Sequence, residues 1–217
     1  MNQTIRPYQP NKLLLFFAKI ISYIFHPLFI PTYVFWFLIS VFPYEFPGIE
    51  VYQLKLRVFS VFWMTAFFPA ISVFLLWRLK FVDSIFLKTQ KERIIPFFIT
   101  MFFYWWMFYL SRNFKDQPKV LQFFFFGICA ATSIGVVVNN YIKISLHGIA
   151  MGGALGAILL FSFYYNEALG LPITIVTLLT GLVGTSRFIA GSHTSTEMYG
   201  GIALGFFCQL LGFWVMM

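Results

Sequence analysis

VLQFFFFGICAATSIGVVV, Val120 to Val138, is a run of 19 residues without one charged side chain. At about 1.5 Å per helical residue, such a run crosses most of a hydrocarbon core roughly 30 Å thick. It reads as the centre of a membrane crossing over about Lys119–Ile142, and the rest of the chain repeats the pattern. Hydrophobic residues make up 60% of the 217 residues, charged residues 10%, and mean hydropathy is +0.82. A soluble domain carries roughly 25% charged residues, because its surface faces water. This composition excludes a sizeable soluble domain and a disordered linker protein. It predicts one all-α, polytopic membrane domain of six or seven crossings over residues 1–217.

Working outward, Met1 to Lys12 is a polar tail, followed by an interfacial helix over about 12–25. A first crossing is expected over about 26–42, with a single proline-kinked crossing from Ile20 as the alternative. Further crossings are expected over Val58–Leu79, Ile94–Leu110, Lys119–Ile142, Gly148–Tyr165, a sixth ending near Phe188, and Glu197–Met217. The polar interruptions are Lys80–Arg93, Ser111–Pro118, Lys143–His147, Asn166–Pro172 and Ile189–Thr196. The 31 Phe are read as lipid-facing filler, and the Trp and Tyr near helix ends as an interfacial belt. Cys129 and Cys208 both lie in apolar segments, so neither a disulfide framework nor a metal site is expected.

Net charge is +8, from 15 Lys and Arg against 7 Asp and Glu. The cations sit at the ends of apolar runs, as topology signals and snorkelling anchors do, so nucleic acid is not an expected partner. Alternate loops share a membrane face, and this parity sorts the polar residues. The loops after crossings two, four and six gather Lys88 and Arg93; Lys143, Ser145 and His147; and Ser186, Arg187, His193 and Glu197. Two histidines, several cations and an acid therefore converge on one side. Such a set suits phosphoryl transfer: fixed cations hold a phosphate, one His attacks phosphorus, and a second protonates the leaving oxygen. A carboxylate behind the nucleophile would orient it.

SRFIAGSHTSTE, Ser186 to Glu197, has the form S-R-x5-H-x3-E. It resembles the third signature of the type 2 phosphatidic acid phosphatase superfamily, S-R-x5-H-x3-D, with Glu for Asp. ISLH, Ile144 to His147, resembles that family's P-S-G-H in its Ser and His. KTQKERIIP, Lys88 to Pro96, departs from K-x6-R-P in its Lys–Arg spacing. The resemblance spans about Lys88 to Glu197 and implies a phosphatase core over about 80–217. It implies His193 as nucleophile forming a phosphohistidine, Glu197 as its orienting acid and His147 as general acid. Arg187, Arg93, Lys88 and Ser145 would hold phosphate oxygens, with no metal or other cofactor. The implied substrate is a lipid phosphate: a phosphatidate, phosphatidylglycerophosphate or polyprenyl phosphate. Transfer of the phosphoryl group to another lipid, and a non-catalytic protein that keeps the scaffold, are the alternatives.

Several of these residues have structural uses as well. Thr194 to Glu197 forms a capping box, Ser145 can N-cap the fifth crossing, and Lys143 and His26 read as interfacial or packing residues. Lys88 and Lys91 lie in a charged loop, where solvation is the competing role. Gly148, Gly152 and Gly156, like Gly201 and Gly205, repeat every fourth residue, a spacing that lets membrane helices approach closely. Close packing of the fifth and seventh crossings behind the histidines is expected, with a homodimer as the rival use. On the seven-crossing count, ten cations lie on the site's side and five on the other. The positive-inside rule then points to a cytoplasmic site. The resemblance implies an extracytoplasmic one in a bacterial inner membrane, and that is the expectation adopted.

Overall fold

The computed structural model describes residues 10–85, 89–113 and 117–217. It is 81% helical, with eight helices and no strand among the described residues. In chain order these are α1 (Lys12–Ile24), α2 (Ile30–Val41), α3 (Val51–Arg78), α4 (Ile94–Asn113), α5 (Lys119–Tyr141), α6 (Leu146–Tyr165), α7 (Gly170–Ile189) and α8 (Ser195–Met216). The last six are long and apolar enough to cross a membrane. Their outward faces carry Phe102, Leu178, Phe207 and Trp214, the last 81% exposed, as side chains facing lipid would be. The all-α, multi-pass membrane architecture expected from composition is the one found.

The first crossing takes an unexpected form. α2 has 12 residues, about 18 Å of helix, too short to span a bilayer alone. Yet the ring of His26 lies 5.8 Å from that of His147 at the start of α6, and Phe42 stacks at 4.1 Å on Tyr165 at its end. Segment 26–42 therefore runs the full length of α6, partly as non-helical chain around Pro27. α3 starts seven residues before the expected Val58, because Glu50 and Gln53 form a capping box that extends it. Inside α3 the helix widens over Trp63–Phe67, directly before Pro69, whose ring nitrogen cannot donate to the preceding turn.

α6 is the central helix, with 67% of its apolar window buried. It lies parallel to α8, and glycines set the separation. A β-carbon on Gly152 would stand 2.0 Å from the Ile202 carbonyl oxygen, and one on Gly205 would stand 2.0 Å from that of Ile149. Gly148 and Gly201 are similarly confined against Met198 and Ser145, and Gly156 against Phe206 and Gln209. The predicted close approach is thus made within one chain. Parallel packing also brings both helix N-termini to the same membrane face, where their unpaired N–H groups add positive potential.

α1 is more than an interfacial helix. It packs on α7 through a narrow face of Ala18 and Ser22, both buried, while Leu13, Phe16 and Phe17 point outward. Residues 1–9 of the expected polar tail lie outside the described residues.

Candidate active site

The S-R-x5-H spacing has a physical cause. α7 ends in a Schellman turn: Ser192 N–H donates to the Arg187 carbonyl at 3.1 Å and Gly191 N–H to that of Phe188 at 2.9 Å. Gly191 holds φ +61°, the left-handed conformation this turn needs. The five residues after Arg187 reverse the chain and return His193 to the cavity that Arg187 lines. Thr194 then caps α8, its hydroxyl accepting from Glu197 N–H at 3.3 Å.

His193 Nδ1 lies 2.7 Å from Glu197 Oε2, and the imidazole is almost fully buried. The carboxylate also receives a backbone hydrogen bond from Thr194, so it serves as cap and as His partner at once. With Nδ1–H held by Glu197, Nε2 carries the lone pair. Burial pushes the His193 imidazole below its ordinary value of 6.5, and Arg187, Arg93 and Lys143 push the same way. The Glu197 hydrogen bond opposes them. At neutral pH the ring is uncharged, as a nucleophile must be.

Arg93 is aimed by its own turn. Thr89 and Glu92 exchange hydrogen bonds at 2.9–3.3 Å, and Gln90 and Asn139 exchange amide–carbonyl bonds that tie the turn to the end of α5. Buried Arg93 donates from Nη1 to the Ile144 carbonyl at 3.3 Å. Lys143 Nζ donates to the Ser192 carbonyl at 2.8 Å and stands 4.0 Å from Glu197. Burial and then the charge of Arg93 lower the pKa of Lys143.

His193, Arg187, Arg93 and Lys143 open on one cavity of about 900 Å³. Lys19, Arg93, Lys143 and Arg187 line its polar end, together with His26, His147 and His193. No carboxylate occurs among the described lining residues. Nε of Arg187 is buried without a hydrogen-bond partner among the described residues. Below this end the walls turn apolar through Phe97, Phe124, Ile128 and Ala131, and Gln209 also lines the cavity. Among the described residues no three His, Cys, Asp or Glu side chains gather as a metal-ligating group.

Of the residues expected from sequence, the structure brings together His193, Glu197, His147, Arg187 and Arg93. Ser145 takes the capping role instead. It is fully buried, its hydroxyl accepts from Gly148 N–H at 3.2 Å and lies 3.2 Å from Met198 Sδ, and it does not line the cavity. Lys88 lies outside the described residues. Lys91 is exposed and does not line the cavity, so Lys143 is the lysine beside His193. Loop parity already placed Lys143 on this side; only its reading as an anchor hid it. His26, Lys19 and the Ser22 carbonyl were not legible, because nothing local in the sequence folds residues 12–29 onto α6 and α7. Comparison with protein-family models, characterised proteins and solved structures gives no match.

Proposed function

We propose that this chain is a membrane phosphatase of the type 2 phosphatidic acid phosphatase kind, acting on a lipid-borne phosphate. One observation carries the reading: His193, held at 2.7 Å by Glu197, opens on a cavity that four cations and, among the described residues, no carboxylate line. A phosphate monoester carries close to two negative charges, and guanidinium groups match its oxygens. The unpartnered Nε of Arg187 is a donor with its acceptor still to come, and burying it so would otherwise be costly. The apolar lower walls suit the hydrocarbon part of such a substrate.

In the reaction proposed, the His193 Nε2 lone pair forms a bond to phosphorus as the P–O bond to the lipid alcohol breaks. His147 gives that oxygen a proton. Water then attacks the phosphohistidine, His147 takes a proton from the water, and phosphate leaves with His193 restored. His147 enters this step as imidazolium: its Nε2–H donates to the Ser22 carbonyl at 3.1 Å, and its Nδ1 proton is the one given and then regained. Arg187, Arg93 and Lys143 stabilise the charge on the equatorial oxygens.

We place the cavity on the extracytoplasmic face of a bacterial inner membrane. Of the ten cations counted on its side, Lys19, Arg93, Lys143 and Arg187 line the cavity, which leaves six against five. The positive-inside asymmetry that opposed this side then nearly vanishes. The test is phosphate release from phosphatidate in mixed micelles with EDTA present, where wild type is active and His193→Ala is not. Acid-labile label on wild-type His193 would accompany turnover. Unchanged turnover in His193→Ala would overturn the mechanism, and label recovered on an acceptor lipid would redirect it to phosphotransfer.

A further inference from the structure

The chain contains three histidines, and all three line the same cavity. His26 belongs to neither of the histidine-bearing motifs. It sits between α1 and α2, where Phe29 N–H donates to its carbonyl at 2.9 Å and Leu28 N–H reaches its Nδ1 at 3.4 Å. An Nδ1 that accepts leaves the proton on Nε2. That N–H has no hydrogen-bond partner among the described residues. The ring stands edge-on to His147 at 5.8 Å, and the same segment supplies the Ser22 carbonyl that meets His147 Nε2. Arg187 acts electrostatically on His26 as it does on His193. A ring whose Nδ1 accepts from Leu28 N–H is a neutral donor through Nε2.

We propose that His26 is a ligand-binding residue, donating Nε2–H to an oxygen of the phosphoryl group bound beside His147. The segment Lys12–Phe29 is then part of the site. Its contacts join two elements: α1 packs on α7, and the turn after it meets α6. The inference rests on the reading of this cavity as a phosphoryl site, but not on which histidine reacts. A neutral donor suits this place because three of the nearby ligands are already cationic. A further positive charge there would repel Arg187.

The test is binding of inorganic phosphate to the detergent-solubilised full chain, followed by calorimetry in wild type, His26→Phe and His26→Gln. Phe keeps an aromatic ring against Phe29 and removes the donor, while Gln keeps an N–H donor. A hydrogen bond to a charged group implies roughly 10- to 100-fold weaker phosphate binding in His26→Phe, with Gln recovering most of the loss. Equal affinity in wild type and His26→Phe would overturn the proposal, as would a wild type that binds no phosphate. A second measurement needs no variant. Imidazole ¹⁵N spectra of wild type should show three histidines responding to phosphate, and a silent His26 would overturn the proposal. Loss of binding in His26→Phe with full hydrolysis by His193→Ala would leave the anion site standing and refute the nucleophile instead.

Discussion

Gly152→Ala tests the frame on which the site is built. The added methyl would stand 2.0 Å from the Ile202 carbonyl oxygen, whereas real β-carbons essentially never come within 3.0 Å of such an atom. The obstacle is helix backbone, so no side-chain rotation relieves it. α6 and α8 must separate by about 1 Å or more. Alanine gains up to about 1 kcal/mol over glycine in helix propensity, while overpacking costs typically 1–3 kcal/mol. The steric cost wins, and a lower unfolding temperature in detergent is expected. Function should suffer more, because α6 carries His147 and α8 carries Glu197. A misplacement of about 1 Å near reacting groups can cost 100-fold in rate. The assay pairs thermal unfolding with lipid phosphate hydrolysis, using Gly181→Ala as control, where an added β-carbon meets nothing within 4 Å. If Gly152→Ala matched or exceeded wild type in stability, the parallel glycine contact between α6 and α8 would be wrong.

Arg187→Lys should lower kcat/KM by about 100-fold, since a point charge replaces an oriented fork of donors; an unchanged value would remove Arg187 from the site. The acid limb of the pH profile of kcat/KM should lie below 6.5, because burial and neighbouring cations hold the His193 pKa below that value. Glu197→Gln removes the hydrogen bond that raises it, so the acid limb should move to lower pH while the maximum rate falls. Stability follows the same sign. With the folded-state pKa of His193 depressed, the unfolded chain binds more protons, and the unfolding temperature should drop as pH falls below about 6.5. Ser145→Ala should cost about 1 kcal/mol of stability through the lost cap and leave phosphate affinity unchanged; weakened affinity would return Ser145 to the site.

Composition and apolar runs alone made legible the solvent, the long apolar helices and the grouping of polar loops by parity. These are one-dimensional properties: an apolar run long enough to span lipid must do so, and each crossing reverses the side. His193 and Glu197 were legible as a pair for a related reason. They stand four positions apart at the start of a helix, which fixes their proximity through local geometry. The glycine spacing likewise announced a close helix contact, though only the fold showed that its partner lies in the same chain.

Tertiary structure decided what depends on the angles at which helices meet. Ser145 and His147 are two residues apart, yet the hydroxyl turns into the α6 cap while the imidazole faces the cavity. His26 and His147 are far apart in sequence, and only the folding of α1 and α2 against α6 and α7 brings their rings together. In lipid no hydrophobic gradient separates inside from outside, so packing fit decides which face of a helix looks inward, and sequence hydropathy cannot report it.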